Sequence, residues 1–164
     1  MPIFGRKSDK PIDHYAKLMH EAFVENAFKN FFDQNKLYVP PEHHFAFKRR
    51  IYLYCEAITL YTLLRESQTN SKYEALLQEY EKIIFPPEPT VEAIEKLENI
   101  KSAMSDFACL IEEEKKLSWS RSWYQAIGYN ETNSIALMAL LLVFSTTAKG
   151  VRESLLKLRD ASLL

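Results

Sequence analysis

Apolar residues recur along this chain at three- and four-residue steps, in stretches separated by proline, asparagine or glycine. That is the spacing of one face of an α-helix. Ile12, Ala16, Met19, Phe23, Ala27 and Phe31 predict a first helix from Pro11 to about Leu37. Along another side Asp13, Lys17, Glu21, Glu25, Lys29 and Asp33 step by four with mostly alternating sign, as on a solvated face. Pro40 and Pro41 then interrupt the chain.

A second helix is predicted from about Glu42 to Glu66. It carries Phe45, Phe47, Ile51, Tyr52, Leu53, Tyr54, Ile58, Leu60, Tyr61, Leu63 and Leu64, so it must be covered on more than one side. Ser71-Lys72-Tyr73-Glu74 matches a capping box and opens a short third helix, which Pro86, Pro87 and Pro89 terminate. Thr90 is placed to cap a fourth helix, with Leu97, Ile100, Met104, Phe107 and Ile111 as its seam. Around Leu117 to Ser120 the pattern loosens, which predicts a kink or a fresh short helix closing at Gly128, a residue suited to a left-handed C-cap. Asn130 or Thr132 then caps the last long helix.

That last helix opens with a window, Thr132 to Ala148, that has no charge, and Ile135 to Phe144 is apolar throughout. A bilayer core needs about 20 apolar residues, and the unbroken run is roughly half that. A short helix apolar on every side reads instead as the buried member of a bundle, with the amphipathic helices around it. The predicted fold is therefore all-α: a single bundle of five to six helices around a buried C-terminal helix, spanning 11–164 behind a flexible segment 1–10.

Composition narrows the field further. The chain has 164 residues and a formal net charge of −1, which gives no broad field for a nucleic acid or a membrane surface. Cys55 and Cys109 stand singly in apolar-periodic segments and the N-terminus has no apolar signal region, so a reducing, cytoplasmic setting is expected. With glycines at 5, 128 and 150, no phosphate-binding loop, dinucleotide fingerprint or nucleophile elbow is present.

Other chemistries lack their spacing. His14 and His20 point apart on a helix, His43 and His44 are adjacent, and no Glu-x-x-His occurs, so no metal and no cofactor is expected. His44 and Cys55 lie about 16 Å apart along one helix and form no nucleophile pair within it. Glu92, Glu95 and Glu98 step by three and Glu112 to Glu114 are consecutive, but no Glu-x-x-Asp accompanies them. They read as solvated acids. Lys48-Arg49-Arg50 diverge around a helix and make no basic stripe. No catalytic residue is assigned, and an enzyme with a site assembled from several helices ranks last among the readings.

Two places retain interest. Trp119, Arg121, Trp123 and Tyr124 are residue types enriched at binding hot spots, and they are expected to contact a protein partner or a second copy. Glu56 is the sole formal charge between Arg50 and Arg65 on a helix dominated by large apolar groups. A carboxylate buried there needs a cation, supplied through Arg49 and Tyr52 or by Arg121 or Lys149. Arg49, Tyr52 and Glu56 therefore form the candidate pocket for a small apolar or aromatic ligand. The expected function is a non-catalytic module that acts by protein–protein contact, with ligand binding as the alternative.

Overall fold

The computed structural model describes residues 10–112 and 116–164. Apart from Lys10, the expected segment 1–10 lies outside them, as do the side chains of the acidic run at 112–114. Regular structure among the described residues is helical throughout, and the all-α bundle is what the chain forms. Helix α1 is Ile12–His20, followed by a π-helical turn Glu21–Glu25 and by α2, Asn26–Asn35. The longer α3 is His44–Thr69, α4 is Glu74–Ile84 and α5 is Val91–Glu112. Helix α6 is Lys116–Gln125 and α7 is Ser134–Asp160.

The first rod is continuous from 12 to 35, but the π turn adds a residue to one turn and rotates the face that follows. Tyr15, Ala16 and Met19 are buried before it, Val24 within it, and Phe31, Phe32 and Asn35 after it. Phe23 and Ala27, expected in line with Ala16 and Met19, are half-buried instead. The expected straight stripe is thus broken in its middle.

Helix α3 is the most fully enclosed element. Every residue from Tyr54 to Leu60 is buried, which is nearly two full turns all the way round. The helices α2, α4, α5 and α7 and the π turn all pack on it. Its buried threonine hydroxyls return to the helix backbone, Thr59 to the Cys55 carbonyl and Thr62 to that of Ile58, each at 2.8 Å. Neither threonine hydroxyl is stranded by that burial.

The helix ends follow local chemistry, with two departures. Thr90 Oγ1 accepts from the Ala93 N–H at 3.1 Å, as expected. Gly128, at φ +80°, closes α6: its N–H reaches the Gln125 carbonyl and the Tyr129 N–H reaches Tyr124, a Schellman pairing. The capping box at Ser71 does not form, because Ser71–Tyr73 are a 3₁₀ turn and Asn70 accepts from the Lys72 N–H. Likewise Asn133, rather than Asn130 or Thr132, caps α7 by accepting from Ile135 at 2.9 Å.

Helix α7 packs along α3, α6 and α2. It buries Ala136, Leu137, Leu140, Leu141, Phe144, Thr147, Ala148, Val151 and Leu155. Gly150 brings Phe23 of the π turn onto it; a Cβ there would sit 2.6 Å from that ring. By length and composition α7 is also long and apolar enough to cross a membrane, with 44% of its most apolar window buried in the bundle. The reason is an open side. Ile135, Met138 and Leu142 are 68%, 56% and 65% exposed.

Candidate functional site

The three residues predicted for a pocket do converge. Arg49, Tyr52 and Glu56 line one cleft of about 930 Å³, walled on one side by α3 and on the other by Glu92, Glu95 and Lys96 of α5, with Phe28 of α2. That volume lies within the range of small-molecule sites. Glu56 is 3% exposed at its floor. Its charge is compensated by residues far away in sequence: Oε1 accepts from Lys96 Nζ at 3.2 Å and lies 3.5 Å from His20 Nε2. The expected donors are elsewhere. Arg49 is two turns away with its guanidinium over the Phe45 ring, Arg121 is exposed on α6, and Lys149 pairs with Glu153 at 3.8 Å.

His20 ends α1 where the π turn begins, and its other ring nitrogen, Nδ1, lies 3.8 Å from Glu25. Among the other histidines, His44 caps the preceding turn, with Nε2 donating to the Lys36 and Val39 carbonyls. Around this polar floor stand aromatic rings. Tyr52 meets Phe28 edge-on at 5.7 Å and His20 at 6.1 Å, and Tyr80 is 6.1 Å from His20.

The thiol and the two phenols beside this floor are held neutral. Burial, with Glu56 adding to it, pushes the Cys55 thiol up to about 12 and the Tyr52 phenol up to about 12. Burial followed by Glu56 also raises Tyr80 well above the usual phenol range. A thiol so placed gives no thiolate near neutral pH and is no nucleophile. Among the described residues no three His, Cys, Asp or Glu side chains gather as they would around a metal ion.

The second predicted site is not assembled as one surface. Trp123 is 2% exposed and Tyr124 is fully buried. Trp119 is half-buried against Tyr54 and Phe144, at 6.2 and 6.0 Å. Arg121 alone of the four is fully on the outside. Ser120 fixes this orientation by donating to the Leu137 carbonyl of α7 at 3.0 Å. The four-residue spacing of the indoles does put them on one side of α6, and that side faces inward. The basic triplet also disperses: Lys48 lies over Phe32, Arg49 over Phe45, and Arg50 over Tyr54 and Trp123.

A third surface was not anticipated as a site. Beside the open stripe of α7 a groove of about 370 Å³ runs between α2 and α7. Its walls include Phe23, Ala27, Ala139, Leu142 and Val143, and no lining residue carries a charge. The exposed positions of α7 up to Thr146 are Ser134, Ile135, Met138, Leu142, Ser145 and Thr146; from Lys149 onward they include Arg152, Glu153, Lys157, Arg159 and Asp160. The signal was present in the uncharged window, since burial on one side does not explain missing charges on the other.

No protein-family profile, curated protein or solved structure matches this chain.

Proposed function

We propose that the protein works by protein–protein contact, through the uncharged α2–α7 face rather than through α6. One observation carries this reading: three large apolar side chains, Ile135, Met138 and Leu142, are each more than half exposed in a stretch with no charge on any exposed position. Contiguous apolar surface without charge is the composition of an interface core, and it costs free energy while it faces water. The unpaired state of Cys55 and Cys109 fits a cytoplasmic setting for such a module.

The double substitution Met138→Glu with Leu142→Glu tests it. Association with other chains, followed by light scattering and by retention on the immobilised protein, is expected to fall at least about tenfold. The melting temperature should hold, because surface changes cost within about 0.5 kcal/mol each. Undiminished association would refute the assignment of this face.

A second reading rests on Glu56. A carboxylate 3% exposed, at the floor of a cleft with aromatic walls, supports a small ligand that meets it from the open side. A ligand present at 100 times its Kd would add about 2.7 kcal/mol of stability. Thermal shift across a broad metabolite set should then show a rise that Glu56→Gln abolishes; silence across the set counts against a pocket.

A further inference from the structure

The cleft beside Glu56 has walls of opposite charge that do not meet. On its α3 side stand Lys48, Arg49 and Arg50, and on its α5 side Glu92 and Glu95. Among the described residues none of the three cations pairs with a carboxylate. Lys48 lies over the Phe32 ring, Arg49 over Phe45, and Arg50 over Tyr54 and Trp123. Glu92 and Glu95 likewise pair with no cation among the described residues. The floor explains this. Lys96 follows Glu92 by four residues, the spacing of an ordinary helical ion pair, yet its Nζ reaches Glu56 at 3.2 Å. Glu56 thus takes the cation that would otherwise neutralise Glu92.

A molecule that fills the cleft strips water from both walls, and a charge that loses water without gaining a counter-charge is costly. A neutral molecule leaves both walls uncompensated. An anion leaves Glu92 and Glu95 so, and a cation leaves the arginines so. Only a molecule with one end of each sign matches both. Between the walls the lining is Phe28, Tyr52 and Leu53, which suits an apolar or aromatic body. We infer that the cleft binds a small zwitterion with an apolar body, of the class of an aromatic amino acid or a short apolar peptide with both ends free. Its carboxylate lies on Arg49 and its ammonium on Glu92 and Glu95. This rests on the reading of the Glu56 cleft as a ligand pocket. The Arg49 guanidinium offers a fork for two parallel hydrogen bonds to a carboxylate, and the Phe45 ring, 5.7 Å from it, supports the fork. A volume of about 930 Å³ has room for a dipeptide with its side chains.

Isothermal titration of the full chain with L-phenylalanine and with the dipeptide diphenylalanine, each also as its carboxamide and as its N-acetyl form, tests the two ends separately. At least one of the two zwitterions should bind, and at least about tenfold more tightly than either of its blocked forms. Arg49→Gln should erase the preference over the carboxamide and keep that over the acetyl form. Glu92→Gln with Glu95→Gln should do the reverse. All three side chains are exposed, so circular dichroism and the melting temperature should match the parent. Equal binding of free and blocked forms overturns the inference, as do preferences that survive both sets of substitutions. The absence of binding up to roughly 10 mM overturns it as well. A neutral or singly charged metabolite that still raises the melting temperature, with the rise lost on Glu56→Gln, would then leave the pocket reading standing without the zwitterion. No response to any compound ends both.

Discussion

Replacing Trp123 by alanine is expected to remove about 3–5 kcal/mol of folding stability, the cost of emptying a large aromatic site in a packed core. Trp123 is 2% exposed and meets four rings edge-on: Tyr124 at 5.3 Å, Tyr54 at 5.7 Å, Phe47 at 6.0 Å and Phe144 at 6.0 Å. The Arg50 guanidinium lies over its ring at 5.2 Å, adding a cation–π contact. These neighbours come from α3, α6 and α7, so one cavity loosens the junction of three helices. For a chain whose total stability is of the order of 5–15 kcal/mol, that is a large fraction. Trp123→Phe should cost much less. It keeps most of the ring and removes an indole N–H that has no acceptor among the described residues. Arg121→Ala, two residues away on the exposed side of α6, should stay within about 0.5 kcal/mol. Urea denaturation of the three variants checks the order. A loss below about 1 kcal/mol for Trp123→Ala would mean that the indole is not where the core needs it.

The same tryptophan marks where sequence reasoning stops. Periodicity puts Trp119 and Trp123 on one side of a helix, but it carries no sign telling whether that side meets solvent or core. Residue types shared by hot spots and cores do not decide it either. What settles the matter is long-range packing, here the Ser120 bond to Leu137 and the rings of α3. Where the signal was local, the reading was good. The crowding of α3 required burial all round, and Tyr54 to Leu60 are enclosed; Thr90 and Gly128 act at their helix ends through their own atoms. The two misplaced caps failed because Asn70 and Asn133 compete with their neighbours by the same chemistry, one to three residues away.

The cleft was half legible for a related reason. A lone carboxylate on an apolar helix announces that it needs a cation, and Arg49, Tyr52 and Glu56 share a face by helical spacing. The cation itself comes from Lys96 and the ring from His20, 40 and 36 residues away, distances at which spacing has no meaning. The π turn that ends beside Glu25 was invisible too, since it adds one residue without any glycine or proline to mark it.

Raising the pH should unfold the protein between about pH 10 and 12, and the buried phenols set both the direction and the size of the effect. Burial lifts Tyr54, Tyr80 and Tyr124 above the ordinary phenol range; the Tyr54 hydroxyl, donated to Asp106 at 2.5 Å, and the carboxylates Glu56 and Glu131 add to it. Cys55 rises to about 12 from the same main cause. Each folded-state value exceeds its unfolded value, so the neutral forms contribute stability that is complete below the unfolded pKa, about 9 for the thiol and about 10 for the phenols. Above that the unfolded chain sheds protons the folded one keeps, and stability falls by about 1.4 kcal/mol per pH unit for each group. By pH 11 the three phenols and the thiol together lose roughly 7 kcal/mol, enough to unfold a chain of ordinary stability. Tyr52, half open to the cleft, adds less because solvent screens it. Tyrosinate absorbance and far-ultraviolet circular dichroism, followed together, give the check. The buried phenols should ionise together with the loss of helix. Tyr80→Phe removes one of the withheld protons and should move the unfolding midpoint upward. All nine tyrosines titrating smoothly near pH 10, with the helices intact, would contradict the packing at the centre of the bundle.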